Sequence, residues 1–148
     1  MIKSDQIISE YYSTSVEETK KIGKEIAKEL KKGQIIAFLG NLGAGKTSLI
    51  KGLVNELNSL KEDEICSPTF TYLNIYTGKI NVYHFDLYRI KNTEQFIAMG
   101  FDEYFDKNGI CLIEWSEKIT TILPPNTLVI HLIEKEKENE RKITVLEL

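Results

Sequence analysis

The stretch Gly40-Asn41-Leu42-Gly43-Ala44-Gly45-Lys46-Thr47 sets three glycines, a lysine and a hydroxyl in the order G-x-x-x-x-G-K-[ST]. Each residue type has a chemical reason to be there. The glycines let successive backbone N–H groups converge on one centre and leave room for phosphate oxygens. Lys46 carries a cation to β- and γ-phosphates, and the Thr47 hydroxyl is a ligand for Mg²⁺. A helix starting at this point adds free donors and a partial positive charge. The dinucleotide pattern G-x-G-x-x-G is not met, because the order here is G-x-x-G-x-G.

A phosphate site of this kind needs an acid that holds Mg²⁺ or its water, placed at the end of a neighbouring strand. Two residues qualify. Glu114 follows the apolar run Ile110-Cys111-Leu112-Ile113, which puts it at the carboxyl edge of a buried strand, where ligands bind in open α/β sheets. Asp86 ends the segment His84-Phe85-Asp86; the competing reading is a turn or helix-capping aspartate. Ser67-Pro68-Thr69 reads either as a strand-entry loop or as a switch, with Thr69 offering a hydroxyl to the γ-phosphate, the metal or the attacking water. His84, flanked by aromatics, reads as a hydrogen-bonded, half-buried residue. Trp115 reads as core packing, with a lid over the nucleotide or a partner contact as the alternative.

The elements that must position these residues follow from periodicity. Residues 34–39 are a short apolar segment that suits a buried parallel strand. After the loop, Leu49, Leu53 and Leu57 recur every four residues and predict a helix with one buried face. Upstream, residues 6–12 read as a strand. Ser15 and Glu18 have capping-box spacing, opening a helix that runs to about Lys31 with Ile22, Ile26 and Leu30 inward and Gly33 as its C-cap. Downstream, residues 69–76 and 80–86 form a hairpin across Thr77-Gly78-Lys79. A short helix starts at Asn92 and ends at Gly100, and a further helical turn covers 102–106. Residues 110–115, 127–133 and 143–146 are strands, with a charged loop over 134–142. This pattern is a single α/β domain spanning 1–148, its mixed parallel and antiparallel sheet flanked by helices.

Composition narrows the function. The chain has 148 residues, 42% hydrophobic and 28% charged, as ordinary soluble domains have. Its net charge of −3, with Arg89 and Arg141 the only arginines, argues against gripping nucleic acid by itself. Neither arginine lies near the phosphate loop in sequence. No apolar run is long enough to cross a membrane, and the N-terminus has no apolar leader core. Cys66 and Cys111 are not in metal-ligand spacing; two buried or partly buried thiols are expected.

The motifs Gly40 to Thr47, Ser67-Pro68-Thr69-Phe70, His84-Phe85-Asp86-Leu87-Tyr88-Arg89 and Ile113-Glu114-Trp115 occur in this order. Together they resemble the TsaE (YjeE) family of small bacterial ATPases over about residues 15–117. The H-x-D-L-Y-R and E-W pair is the specific part. The resemblance implies a P-loop NTPase-like fold, ATP and Mg²⁺ as ligands, and a cytoplasmic role in making the threonylcarbamoyladenosine of tRNA. It implies TsaD and TsaB as partner subunits, tRNA met only indirectly, and ATP hydrolysis that supports repeated turnover of the transferase. Carried onto this chain, Leu42, Gly43, Ala44, Gly45, Lys46, Thr47 and Ser48 hold the phosphates, with Thr47 and Glu114 on Mg²⁺. Asp86 becomes a further catalytic or metal-linked acid and Thr69 a switch residue, with Ser15 and Glu117 near the nucleotide. Two rival readings are a small-molecule kinase and a nucleotide-gated binding module in which hydrolysis is incidental.

Overall fold

The computed structural model describes residues 7–40 and 45–148. Residues 1–6 and 41–44 lie outside this description, and with them the expectations for Leu42, Gly43 and Ala44. A seven-stranded sheet has the order β1-β7-β6-β2-β5-β4-β3. Its strands are β1 (Ile7–Ser13), β2 (Ile35–Leu39), β3 (Leu73–Tyr76), β4 (Val82–Asp86), β5 (Ile110–Glu114), β6 (Leu128–Glu134) and β7 (Arg141–Glu147). The central strands β6, β2, β5 and β4 are mutually parallel. They read as near-continuous apolar runs because both of their faces are covered. β1 and β7 flank one side antiparallel, and β3 closes the other as the antiparallel partner of β4. The fold is thus the expected mixed α/β sheet, and the predicted hairpin forms.

Strand alternation divides the core. Ile36, Phe38, Leu112 and Ile130 meet α1 (Val16–Lys28) and α2 (Lys46–Asn58) on one face. Ile22, Ile26 and Leu30, and Leu49, Leu53 and Leu57, contribute as the helical spacing predicts. On the other face Ile35, Phe85 and Ile113 pack with Phe96 of α3 (Thr93–Ala98) and with Phe101 and Tyr104 of the 3₁₀ segment Phe101–Asp106. Among the described residues, no helix is long and apolar enough to cross a membrane.

α1 and α2 approach closely through two glycines. A Cβ on Gly52 would collide with the Lys20 carbonyl oxygen, and one on Gly23 with that of Leu49. Backbone cannot yield as a flexible side chain can, so Gly52→Ala is expected to cost at least the ~1–3 kcal/mol of an overpacked core. Urea unfolding checks this: a midpoint equal to that of the parent would show that the helices separate freely.

Several local expectations need correction. α1 ends at Lys28, not about Lys31, because its last turn tightens: Glu29 and Leu30 N–H groups bond the carbonyls of Ile26 and Ala27. Gly33 does take a positive φ of 92°, but its N–H goes to Gly109 and the residue turns the chain into β2 rather than capping the helix. The Ser15 hydroxyl accepts from the Glu18 N–H at 3.0 Å, as a cap should. The return leg of the box goes one residue further back, to the Thr14 N–H. β3 starts at Leu73, not Thr69, since residues 69–72 form a turn closed by the Tyr72 N–H on the Pro68 carbonyl at 2.8 Å. The charged loop is shorter than expected because β6 runs to Glu134 and β7 starts at Arg141. Cys66 is exposed, against expectation, whereas burial pushes the Cys111 thiol up to about 12.

Candidate active site

Parallel pairing assembles the site. Phe38 of β2 is in register with Glu114 of β5, and Glu114 with Asp86 of β4. The carboxyl ends of these strands therefore set both acids beside the segment that leads from β2 into the phosphate loop and α2. A cleft of about 390 Å³ opens there, lined by Gly45, Lys46, Thr47, Ser48, Ser67, Thr69, Asp86, Glu114 and Trp115. Seven of these nine residues were expected to take part in nucleotide or metal chemistry from the sequence: Gly45, Lys46, Thr47, Ser48, Thr69, Asp86 and Glu114.

Lys46 is buried, with its Nζ donating to the Gly40 carbonyl at 3.2 Å and standing 4.7 Å from the Trp115 ring centroid. Trp115 takes a positive φ of 60° as it leaves β5, which turns the chain into the 3₁₀ segment Ser116–Ile122. That segment has no periodic sequence signal. The indole packs 4.9 Å from Tyr88 and so serves as both core packing and cleft wall.

Glu114, which lines the cleft, accepts the Ser67 hydroxyl at 2.9 Å and meets His84 Nε2 at 2.8 Å, both on Oε2. Burial pushes the Glu114 carboxyl up. The hydrogen bond and charge of His84, the Ser67 hydroxyl and the Lys46 cation outweigh it and hold the carboxyl below its ordinary value. Asp86, also buried, accepts the Tyr88 N–H on Oδ1 at 3.0 Å and faces the Thr69 hydroxyl with Oδ2 at 3.5 Å. The turn at 67–69 therefore touches both acids, one through each hydroxyl.

These donors fit Mg²⁺–ATP. Magnesium favours oxygen ligands, few of them from protein, with phosphates and water completing the shell. Thr47 and Glu114 offer such oxygens, and among the described residues no cluster of three or more His, Cys, Asp or Glu side chains could enclose a metal by itself. The αL conformation at Gly45, with φ of 95°, starts α2 with no side-chain cap at the edge of the cleft, and a helix N-terminus offers backbone N–H groups to an anion.

Ser15 lines a small groove with Val16, Thr19, Asn139 and Arg141 that shares Gly45 and Ser48 with the cleft. Glu117 is exposed on the 3₁₀ segment and does not line the cleft. His84 is more buried than expected, at 1% exposure. Arg89 stands over the rings of Phe70 and Tyr72, outside the cleft lining. Arg141, remote from the loop in sequence, comes alongside it in space: its Nε lies 3.6 Å from where a Gly45 Cβ would sit. Only the β6–β7 pairing, invisible in local sequence, could have revealed that approach.

Residues 13–143 match the family described as TsaE, threonylcarbamoyl adenosine biosynthesis protein. The chain is 38% identical over 133 residues to the tRNA threonylcarbamoyladenosine biosynthesis protein TsaE of Treponema pallidum, covering 90% of this chain and 96% of that one. It is 40% identical over 129 residues to the protein of that name from Bacillus subtilis, covering 86% and 78% respectively. The crystal structure of Bacillus subtilis YdiB superposes with a TM-score of 0.75 at 34% identity, over 94% of this chain and 84% of that one.

Proposed function

The chain belongs to the TsaE family of threonylcarbamoyladenosine biosynthesis, and from that premise we propose that it binds Mg²⁺–ATP in the cleft and hydrolyses it. The hydrolysis supports tRNA modification in the cytoplasm by a TsaD–TsaB transferase. The observation that carries this reading is the convergence of Lys46, Thr47, Asp86 and Glu114 on one cleft at the carboxyl edge of a parallel sheet.

The roles follow from placement. The first N–H groups of α2 and the Lys46 ammonium bind the phosphates and offset the charge that develops in the transition state. Thr47 and Glu114 hold the metal. Mg²⁺ bound there would supply positive charge that offsets the charge of the phosphates. Asp86, fixed by the Tyr88 N–H, is the second acid, placed to take the attacking water's proton or to stand behind the metal site. Thr69 contacts Asp86 from a turn that can respond to the γ-phosphate. A kinase needs an acceptor pocket and cations over the transferred group.

Glu114→Ala and Thr47→Ala are both expected to weaken Mg²⁺-dependent ATP binding, by about 10-fold or more as loss of a ligand-shell contact does. Asp86→Ala is expected to impair turnover more than binding. A Mg²⁺ titration of ATP binding, followed by the fluorescence of Trp115 in the cleft wall, separates these effects. An unchanged Mg²⁺ dependence in Glu114→Ala would transfer the metal to another residue, Asp86 first.

A further inference from the structure

Glu114 does not need His84 to be satisfied. The Ser67 hydroxyl already donates to Oε2. Yet β4 puts a fully buried histidine against the same oxygen, Nε2 to Oε2 at 2.8 Å. The other ring nitrogen, Nδ1, lies 3.3 Å from the Tyr76 hydroxyl of β3. That hydroxyl returns to the turn: it donates to the Cys66 carbonyl at 2.9 Å and accepts the Cys66 N–H at 3.3 Å. Cys66 is covalently next to Ser67, so the contacts close on themselves. The path runs from Glu114 to His84, to Tyr76, to Cys66, to Ser67 and back to Glu114.

We propose that this closed circuit makes His84 and Tyr76 positioning residues, which lock the orientation of the Glu114 carboxylate to the position of segment 66–69, which leads into the turn. The inference rests on the reading of Glu114 as a metal ligand. A chain of hydrogen bonds open at one end would let the turn and the carboxylate move separately. A closed one, buried at His84 and Glu114, makes them one variable, because displacing either strains bonds on both sides. The turn also carries Thr69, which touches Asp86, so both acids are tied to one short segment. Ordering that segment, by nucleotide or by a partner, then sets the geometry of the carboxylate that receives the metal. Residues behind a ligand that fix its orientation govern affinity nearly as strongly as the ligand itself.

The test cuts the circuit at one side and reads it at the other. Tyr76→Phe removes one hydroxyl and nothing else, far from the phosphates. It is expected to raise the Mg²⁺ concentration for half-maximal ATP binding several-fold, and His84→Leu by about 10-fold or more. His84→Gln, whose amide can still donate to Glu114, is expected to recover part of that loss. The double variant His84→Leu/Tyr76→Phe is expected to be no worse than His84→Leu alone, since both cut one path. In the nucleotide-free protein, Glu114→Gln and His84→Leu are each expected to speed hydrogen exchange of the Cys66 amide, which neither residue contacts. A folded Tyr76→Phe protein with the parent's Mg²⁺ dependence, additive losses in the double variant, or an unchanged Cys66 amide in Glu114→Gln would each overturn the circuit. Absence of Mg²⁺-dependent ATP binding in the parent would instead sink the functional reading, and the amide exchange would still judge the coupling.

Discussion

Lys46→Ala is expected to abolish ATP hydrolysis while the protein stays folded. Lys46 is a buried cation beside a buried acid, between the Gly40 carbonyl and the Trp115 ring. Its removal takes away one hydrogen bond, worth about 1 kcal/mol, and leaves the two helices and the sheet untouched. The catalytic loss is larger. A preorganised donor aimed at developing charge is worth about 10²–10³ in rate when removed, and a full cation on the transferred phosphoryl group at least as much. Lys46→Arg does not restore it, because a planar guanidinium does not fit where a compact ammonium sits against an indole. ATP turnover and circular dichroism measured on the same sample check the prediction. Wild-type turnover in folded Lys46→Ala would remove the phosphate-loop assignment.

The sheet and the cleft were legible in the sequence for a physical reason: buried parallel strands cannot hide their apolar runs, and a phosphate loop must stand between such a strand and a helix. Glu114 and Asp86 were legible as acids ending those runs, and the register Phe38↔Glu114↔Asp86 joins them to the loop. What was not legible depended on pairing between distant segments. Arg141 reaches Gly45 because β7 runs beside β6. The reach of His84 to both Glu114 and Tyr76 depends on the register of β4 with β5 on one side and β3 on the other. The aromatic, β-branched character of residues 69–72 suggested a strand, but the Thr69 hydroxyl faces Asp86 and the Tyr72 N–H returns to Pro68, which makes a turn instead. Local propensity lost to these tertiary contacts. The 3₁₀ segment after Trp115 lacked any periodic pattern because its start depends on one residue at positive φ.

The second large effect is expected from the partners. Alone, the protein is expected to hydrolyse ATP slowly, because neither of its arginines lines the cleft. Arg89 is held over Phe70 and Tyr72, on the outer side of the turn. Arg141 borders the small groove that shares Gly45 with the cleft and also approaches Glu134 at 3.6 Å. Phe70, directly after the Thr69 that touches Asp86, is 83% exposed, so the position of this segment is open to influence from outside. A catalytic group supplied or ordered in trans is worth about 10³–10⁵ in related hydrolases, or roughly 4–7 kcal/mol of barrier. With a net charge of −3, the chain is expected to leave tRNA binding to the partners.

The measurement that bears most directly on this account is ATP turnover by the isolated protein against turnover with TsaD and TsaB added, with and without tRNA, counting modified tRNA in the same reaction. The account predicts slow hydrolysis alone, a large rise with the partners, and repeated modification cycles that fail when Lys46→Ala replaces the parent. Full-speed hydrolysis by the lone protein, unchanged by the partners, with modification that proceeds equally well on Lys46→Ala, would contradict it.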